Sequence, residues 1–318
     1  MVDMKPADQA AGSRRDFLAR VVALAGALAT VGCGGAAAVR ADTGLWLEPL
    51  FGISGGTLTN KVAPTGAPLT GGSETFISFM YPVAAVAAFG AVFIADAGYG
   101  RLFRFDRGTN LMAAIPGIRI TPGSRLQVGA DGTVYLLDAM GGEIRRHSMH
   151  GLTLPAMHSR VPSSRYLDFA VDNMTGRVFA VDSMYRVVDQ IEPLGRVALA
   201  ALELTVAGPI AVDGTTLLVA DAQCKCVNEW RNGIFTRRLA EGSMRLPKVL
   251  AAEGGEVYLL DGFDRSISRV YEGGLETLLP AELNLISPEH ISVSGGMMYV
   301  TDGVSRTVAV FRIRRRQR

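Results

Sequence analysis

The chain has 318 residues, 48% of them hydrophobic and 19% charged, with a formal net charge of +2. That is the composition of a soluble globular domain, and so small a charge excess leaves no electrostatic footprint for nucleic acid. With 37 glycines and no helix-length amphipathic period after residue 40, turns and strands are favoured over alternating α/β units.

The first signal in chain order is Ser13-Arg14-Arg15-Asp16-Phe17-Leu18, followed by apolar and small residues from Val21 to Gly32. That stretch is about 12 residues, where spanning a bilayer takes roughly 20. A basic segment ahead of a short apolar one reads as a signal peptide. The order Ser, paired Arg, any residue, Phe, Leu resembles the twin-arginine export motif, which implies an exported protein. Val31-Gly32-Cys33 resembles the end of a bacterial lipobox, which implies lipid attached to Cys33. Thr30 departs from that motif, which carries Leu, Val or Ile there. The rival is ordinary cleavage after Ala41. Residues 1–41 are thus assigned to the signal region. The expected location is the periplasm, or the outer membrane as a lipoprotein, an option favoured by Gly34 after Cys33. Membrane contact is expected only through Cys33.

Residues 42–80 carry no repeated signature. Leu45–Phe51 is expected to supply the outer strand of the last repeat, and residues 54–73 to form a long surface loop. Beyond them one pattern recurs: Val92–Asp96, Val134–Asp138, Val178–Asp182, Leu218–Asp221, Val257–Asp261 and Met298–Asp302. Subtracting residue numbers, the aspartates lie 42, 44, 39, 40 and 41 apart. A period of that size with about four short strands per unit is the signature of propeller blades. Each unit opens on an apolar segment such as Phe169–Asp172 or Ile210–Asp213. The run ending in Asp is apolar on both faces and is expected to be buried on both. A small-residue turn follows, then an alternating segment such as Arg101–Phe105, Ser266–Val270 or Thr307–Phe311. The expected fold is therefore all-β, a six-bladed β-propeller of four-stranded antiparallel blades over residues 42–312, with a basic tail at 313–318.

The unit resembles the NHL repeat, in which an apolar strand ends in Asp and an Arg opens the next strand. Asp96 with Arg101, Asp182 with Arg186, Asp261 with Arg265 and Asp302 with Arg306 keep both residues. The second and fourth copies depart, with Glu143 and Cys226 at the Arg position. Tyr299-Val300-Thr301-Asp302 also resembles the related YVTN repeat. Trp46 and Trp230 form no Trp-Asp pair, which disfavours WD40. The likeness implies a fold and leaves function open. A carboxylate at a strand end can accept hydrogen bonds from turn amides, and the Arg is expected to pair with it.

Chemistry is sparse. Gly52-Ile53-Ser54-Gly55-Gly56 matches G-x-S-x-G, but no helix signal follows, so no nucleophile elbow is expected. No P-loop, dinucleotide fingerprint or HExxH motif occurs, so no cofactor and no metal is expected. His147 and His150 lack a third ligand in sequence and are expected at the surface, where the strand leaves the sheet. Cys224-Lys225-Cys226 admits a tight disulfide, two free thiols or a soft-metal pair.

The remaining place is the mouth of the central channel. Aligning the copies by their aspartates gathers Met80, Tyr81, Ser124, Arg125, Arg165, Asp168, Gly208, Lys248, Glu289 and His290 there. Of these Tyr81, Arg125, Arg165, Asp168, Lys248, Glu289 and His290 form the candidate ligand-binding set, and no catalytic residue is assigned. The layout resembles six-bladed lactonases of the gluconolactonase type, which implies a divalent metal held by Glu, Asn and Asp. No Asn falls at an equivalent position, and the ring is rich in Arg and Lys, which favours an anionic ligand. The expected function is a binding or scaffolding module of the envelope, with a protein or an anionic small ligand as partner. The alternative is a metal-dependent lactonase-like hydrolase or a lyase, using Asp168, Glu289 and His290.

Overall fold

The computed structural model describes residues 45–59, 75–138, 142–159, 164–192, 197–201 and 204–315. The readings at Ser13–Leu18, Cys33 and Ala41 lie outside them. Six sheets, antiparallel but for one parallel pair in the first, follow one another around a ring. Their innermost strands are Pro82–Ala88, Arg125–Val128, Tyr166–Val171, Ala207–Asp213, Pro247–Glu253 and Pro288–Ser294. Each packs against the next, and the sixth packs against the first. The one helical element among the described residues is a single turn, Pro280–Leu283.

The doubly apolar second strands explain the ring. In blade one Phe93 and Ala95 enter a cluster shared with blade two, while Val92 and Ile94 enter one shared with blade six. In blade four Leu217 and Val219 face blade three, and Leu218 and Ala220 face blade five. Successive side chains of a strand point to opposite faces. A strand with a neighbouring blade on each side must therefore be apolar at every position. The core is thus a ring of interfaces between blades.

Blade six closes the ring as expected. Leu45–Ile53 pairs antiparallel with Thr307–Arg315 and makes the fourth strand of a sheet otherwise built from the C-terminal end. The final strand reaches Arg315, so the boundary of a tail at residue 313 is corrected. Arg312 and Arg314, half-exposed, lie 3.6 and 2.6 Å from Glu48. The expected loop at 54–73 is also corrected in part. Gly55–Leu58 is a strand, parallel to Leu111–Ile115 and antiparallel to Phe76–Ser78, so blade one carries six strands. Gly56 permits this approach, because a Cβ there would lie 2.8 Å from that of Met112.

The repeated aspartates act as turn acceptors. Asp96 accepts from the amides of Met80, Tyr81 and Tyr99 at 2.8 to 3.2 Å. Asp221 and Asp261 repeat the arrangement, and Asp302 accepts from Ile286, Ser287, Val304 and Ser305. Burial opposes ionisation of Asp302, but the amide bonds outweigh it and hold the carboxyl below the ordinary range. The expected Asp–Arg partnership is corrected at Arg265. Arg265 turns to Glu289 at 2.7 Å, and it is Arg145, from the next strand, that reaches its blade's aspartate, Asp138, also at 2.7 Å. Arg186, Arg265 and Arg306 sit four residues past their aspartates with left-handed φ of 57°, 60° and 58°. Gly100 and Lys225 occupy the same position at 66° and 52°. Lys225, not Cys226, is therefore the fourth copy's counterpart of those arginines.

Candidate functional site

The channel mouth is shaped by a repeated irregularity. Register shifts at Pro82/Ala84, Tyr166/Asp168, Ala207/Ile210, Pro247/Val249 and Pro288/His290 put a bulge near the start of five innermost strands. A bulge re-aims the extra residue's side chain. The residues at this place include Val83, Leu167, Lys248 and Glu289. Proline is tolerated at the first residue of a strand, which suits Pro82, Pro247 and Pro288.

The bulges of blades five and six bring Lys248 and Glu289 together as a hydrogen-bonded ion pair. The other carboxylate oxygen of Glu289 accepts from Arg265 at 2.7 Å and from the Ser287 hydroxyl at 3.1 Å. Arg125 donates across the mouth from blade two to the Lys248 carbonyl at 3.2 Å, and its Nε lies 3.7 Å from Asp168 of blade three. Asp168 also accepts from the Ile210 amide of blade four at 3.2 Å. The structure thus joins four blades through Arg125, Asp168, Lys248 and Glu289. Tyr81 borders the network. A Cβ on Gly303 would meet the Tyr81 ring at 2.5 Å and Glu289 Cγ at 3.2 Å, so this glycine permits the contact. Arg165 is exposed, and its carbonyl caps Ser183. The remaining residue, His290, is buried, and its Nδ1 has no hydrogen-bond partner among the described residues.

Four groups are electrostatically displaced, and in Glu289 the bonds and charges of Lys248 and Arg265 outweigh burial and lower the carboxyl. Burial raises the Asp168 carboxyl, against the pull of Arg125 and the Ile210 and Phe169 amides. Burial, then the charges of Arg125 and Lys248, push His290 down to about 3, so it is neutral at physiological pH. Burial, then the charge of Glu289, raise the Tyr81 phenol, with Arg265 opposing. Displaced groups gathered in one place make the mouth the candidate site.

Sequence reading did not place Arg265 and Ser287 at this site. The Arg265 signal was absorbed into the repeat pattern, where its left-handed backbone could not be seen. His147 is a correction. It belongs to the strand Glu143–Ser148, opposite Val134 on the face turned to blade one, and is buried with neither ring nitrogen partnered among the described residues. Residues 52–56 lie across two strands, and the chain past Ser54 runs straight into the strand Gly55–Leu58, so the G-x-S-x-G match makes no elbow.

The metal implied by the lactonase resemblance does not fit these residues. Glu289 is shared by two cations, Asp168 faces Arg125, and His290 sits in the field of two positive charges. No group of three or more His, Cys, Asp or Glu suited to a metal ion occurs among the described residues. Two recesses lie elsewhere. One of about 590 Å³ includes Glu253, whose carboxylate is already engaged by the Gly295 and Gly296 amides. The other, about 470 Å³, runs along blade five past Asp261 and Tyr271. Neither contains the displaced groups of the mouth.

No protein-family profile and no curated protein matches the sequence. Solved structures do match its fold. A catalytically inactive virginiamycin B lyase from Staphylococcus aureus, with quinupristin, superposes with a TM-score of 0.57 at 11% identity, covering 84% of this chain and 98% of that one. A gluconolactonase from Xanthomonas campestris gives 0.57 at 14% identity, covering 85% and 98%. The nidogen/laminin complex gives 0.53 at 19% identity, covering 70% and 93%. At these identities the likeness shows the six-bladed propeller alone. These three proteins span enzymes and a protein complex, so fold does not select between such roles.

Proposed function

We propose that the mature chain is an exported, envelope-associated binding propeller that takes an anionic group at its channel mouth. One observation carries this reading. Among the described residues, Arg125, Lys248 and Arg265 share only Asp168 and Glu289 as carboxylate partners, and Glu289 serves two of those cations. Like charges in a concave, partly desolvated place repel, and an anion relieves them. An anionic ligand at a hundredfold excess over its Kd is expected to stabilise the fold by about 2.7 kcal/mol. A thermal-shift screen of carboxylates, phosphates and uronic sugars checks this, with the gain lost in Arg125→Ala and Lys248→Ala. If every anion leaves the parent's Tm unmoved, the reading fails.

A second reading, a lyase or hydrolase, is favoured by the opposite displacements of Asp168 and His290 around the shared Arg125. Such pairs supply acid–base roles. Stabilisation by a divalent cation, abolished in Glu289→Ala, would move the assignment to the metal-dependent form of that enzyme.

Localisation is part of the proposal and rests on the sequence of residues 13–41. Replacing Arg14 and Arg15 together by Lys is expected to leave the protein in the cytoplasm, scored by fractionation. Cys33→Ala is expected to abolish fatty-acid labelling. Parent protein that never takes label would point to cleavage after Ala41.

A further inference from the structure

Of the three fates open to Cys224-Lys225-Cys226, the structure takes the disulfide, with Cα atoms 5.3 Å apart. The bridge lies in the turn between the second and third strands of blade four. As a fastener it is poorly placed. A crosslink stabilises by constraining the unfolded chain, and the gain grows with the length of the loop it closes. This loop is only Cys224 to Cys226.

The turn also forms without it. Its fourth residue after the aspartate is left-handed at Gly100, Arg186, Lys225, Arg265 and Arg306, with φ between 52° and 66°. The turns of blades one, three, five and six contain no cysteine. The bridge is therefore not what imposes the shape on blade four.

The surroundings suit the reduced pair as well. Cys224 Sγ lies 3.6 Å from the Asp221 carbonyl oxygen, and Cys226 Sγ lies 3.7 Å from Asn228 Oδ1. A bridged sulfur has no hydrogen to give these oxygens, whereas each thiol has one. Asn228 is itself buried, so its oxygen is a fixed part of the site. The two sulfurs differ in access: Cys226 is fully buried and Cys224 half-buried beside the exposed Lys225.

We propose that Cys224–Cys226 is a thiol–disulfide exchange site whose co-reactant is an external dithiol. A thiolate of the partner attacks the accessible Cys224 Sγ. The S–S bond breaks, its electron pair goes to Cys226 Sγ, and that thiolate takes up a proton and bonds to Asn228. The partner's second thiolate then attacks the partner's own sulfur in the mixed disulfide and releases Cys224, which is protonated and bonds to the Asp221 carbonyl. Two electrons and two protons pass to the propeller, and the partner leaves as a disulfide. The Lys225 ammonium favours the thiolates that form on either side of it. Cys33, the chain's other cysteine, lies in the signal region, so the partner is a separate molecule. An extracytoplasmic compartment permits either oxidation state to be set by such partners.

The test uses the folded mature protein, equilibrated in glutathione buffers of rising reducing strength and then alkylated. Mass spectrometry is expected to count two new thiols without denaturant, with the circular dichroism spectrum kept and Tm lowered by less than about 5 °C. Single variants test the order of attack. Cys226→Ser is expected to form a mixed disulfide with oxidised glutathione at least tenfold faster than Cys224→Ser does. A bridge that resists reduction until the fold is denatured would overturn the proposal. So would reduction that unfolds the domain, or equal reactivity of the two variants, because each makes the bridge a structural staple.

Discussion

Deletion of residues 45–53 is expected to abolish cooperative unfolding. The nine-residue strand Leu45–Ile53 is the only link of its kind between the start of the described chain and its last strand. It places Leu47 in the cluster between blades five and six, and Ile53 in the cluster between blades six and one. Losing one buried aliphatic side chain costs about 2–5 kcal/mol. The deletion removes two, strips the partner from Thr307–Arg315 and leaves an open sheet edge. Against a total stability of about 5–15 kcal/mol, little remains. The check is a thermal melt of the shortened chain beside Glu48→Ala. The point variant loses only the half-exposed contacts to Arg312 and Arg314, which are expected to contribute less than about 1 kcal/mol. A shortened chain that melts cooperatively within about 5 °C of the parent would show that closure is dispensable.

The closing strand was legible because a ring of sheets has no other way to tie its ends. The second strands were legible for a related reason: a neighbour on each face demands apolar residues throughout, and Val92–Asp96 or Val257–Asp261 show it directly. The turn aspartates could be read because one acceptor geometry recurs with one residue type. What sequence hid were properties of register and backbone. A bulge at Lys248 or Glu289 leaves no residue signature beyond a preceding proline. The left-handed turn position admits Gly100, Arg186 and Lys225 alike, so aligning by residue type put Cys226 where Lys225 belongs. His147 misled because a polar residue near a strand end reads as exposed, whereas in a propeller the neighbouring blade covers that face. The mouth residues were found by alignment to the aspartates. Their pairing, which decides their chemistry, required coordinates.

Glu289→Ala is expected to destabilise the fold by about 2–3 kcal/mol at pH 7. Removing one partner of a buried ion pair costs about 3–5 kcal/mol, because the other charge stays behind. Here two charges stay behind, Lys248 and Arg265. Their side chains are 27% and 40% exposed, so water recovers part of the loss. The effect carries a pH signature. Burial opposes ionisation of Glu289, yet the bonds and charges of Lys248 and Arg265 outweigh it and hold the carboxyl below its ordinary range. A carboxyl depressed in the folded state adds stability that is complete above its unfolded pKa, about 4.3. That stability drains away as pH falls through the folded value. The gap between parent and variant is therefore expected to narrow below about pH 4, measured by denaturant titration at pH 7, 4 and 3. The variant also tests the mouth's appetite for anions, since its unmatched Lys248 and Arg265 should draw added sulfate or a carboxylate more strongly than the parent's do. Parent-like stability at pH 7 would mean that water already screens these cations. A bound anion would then have no repulsion to relieve, and the electrostatic ground for an anionic ligand would be gone.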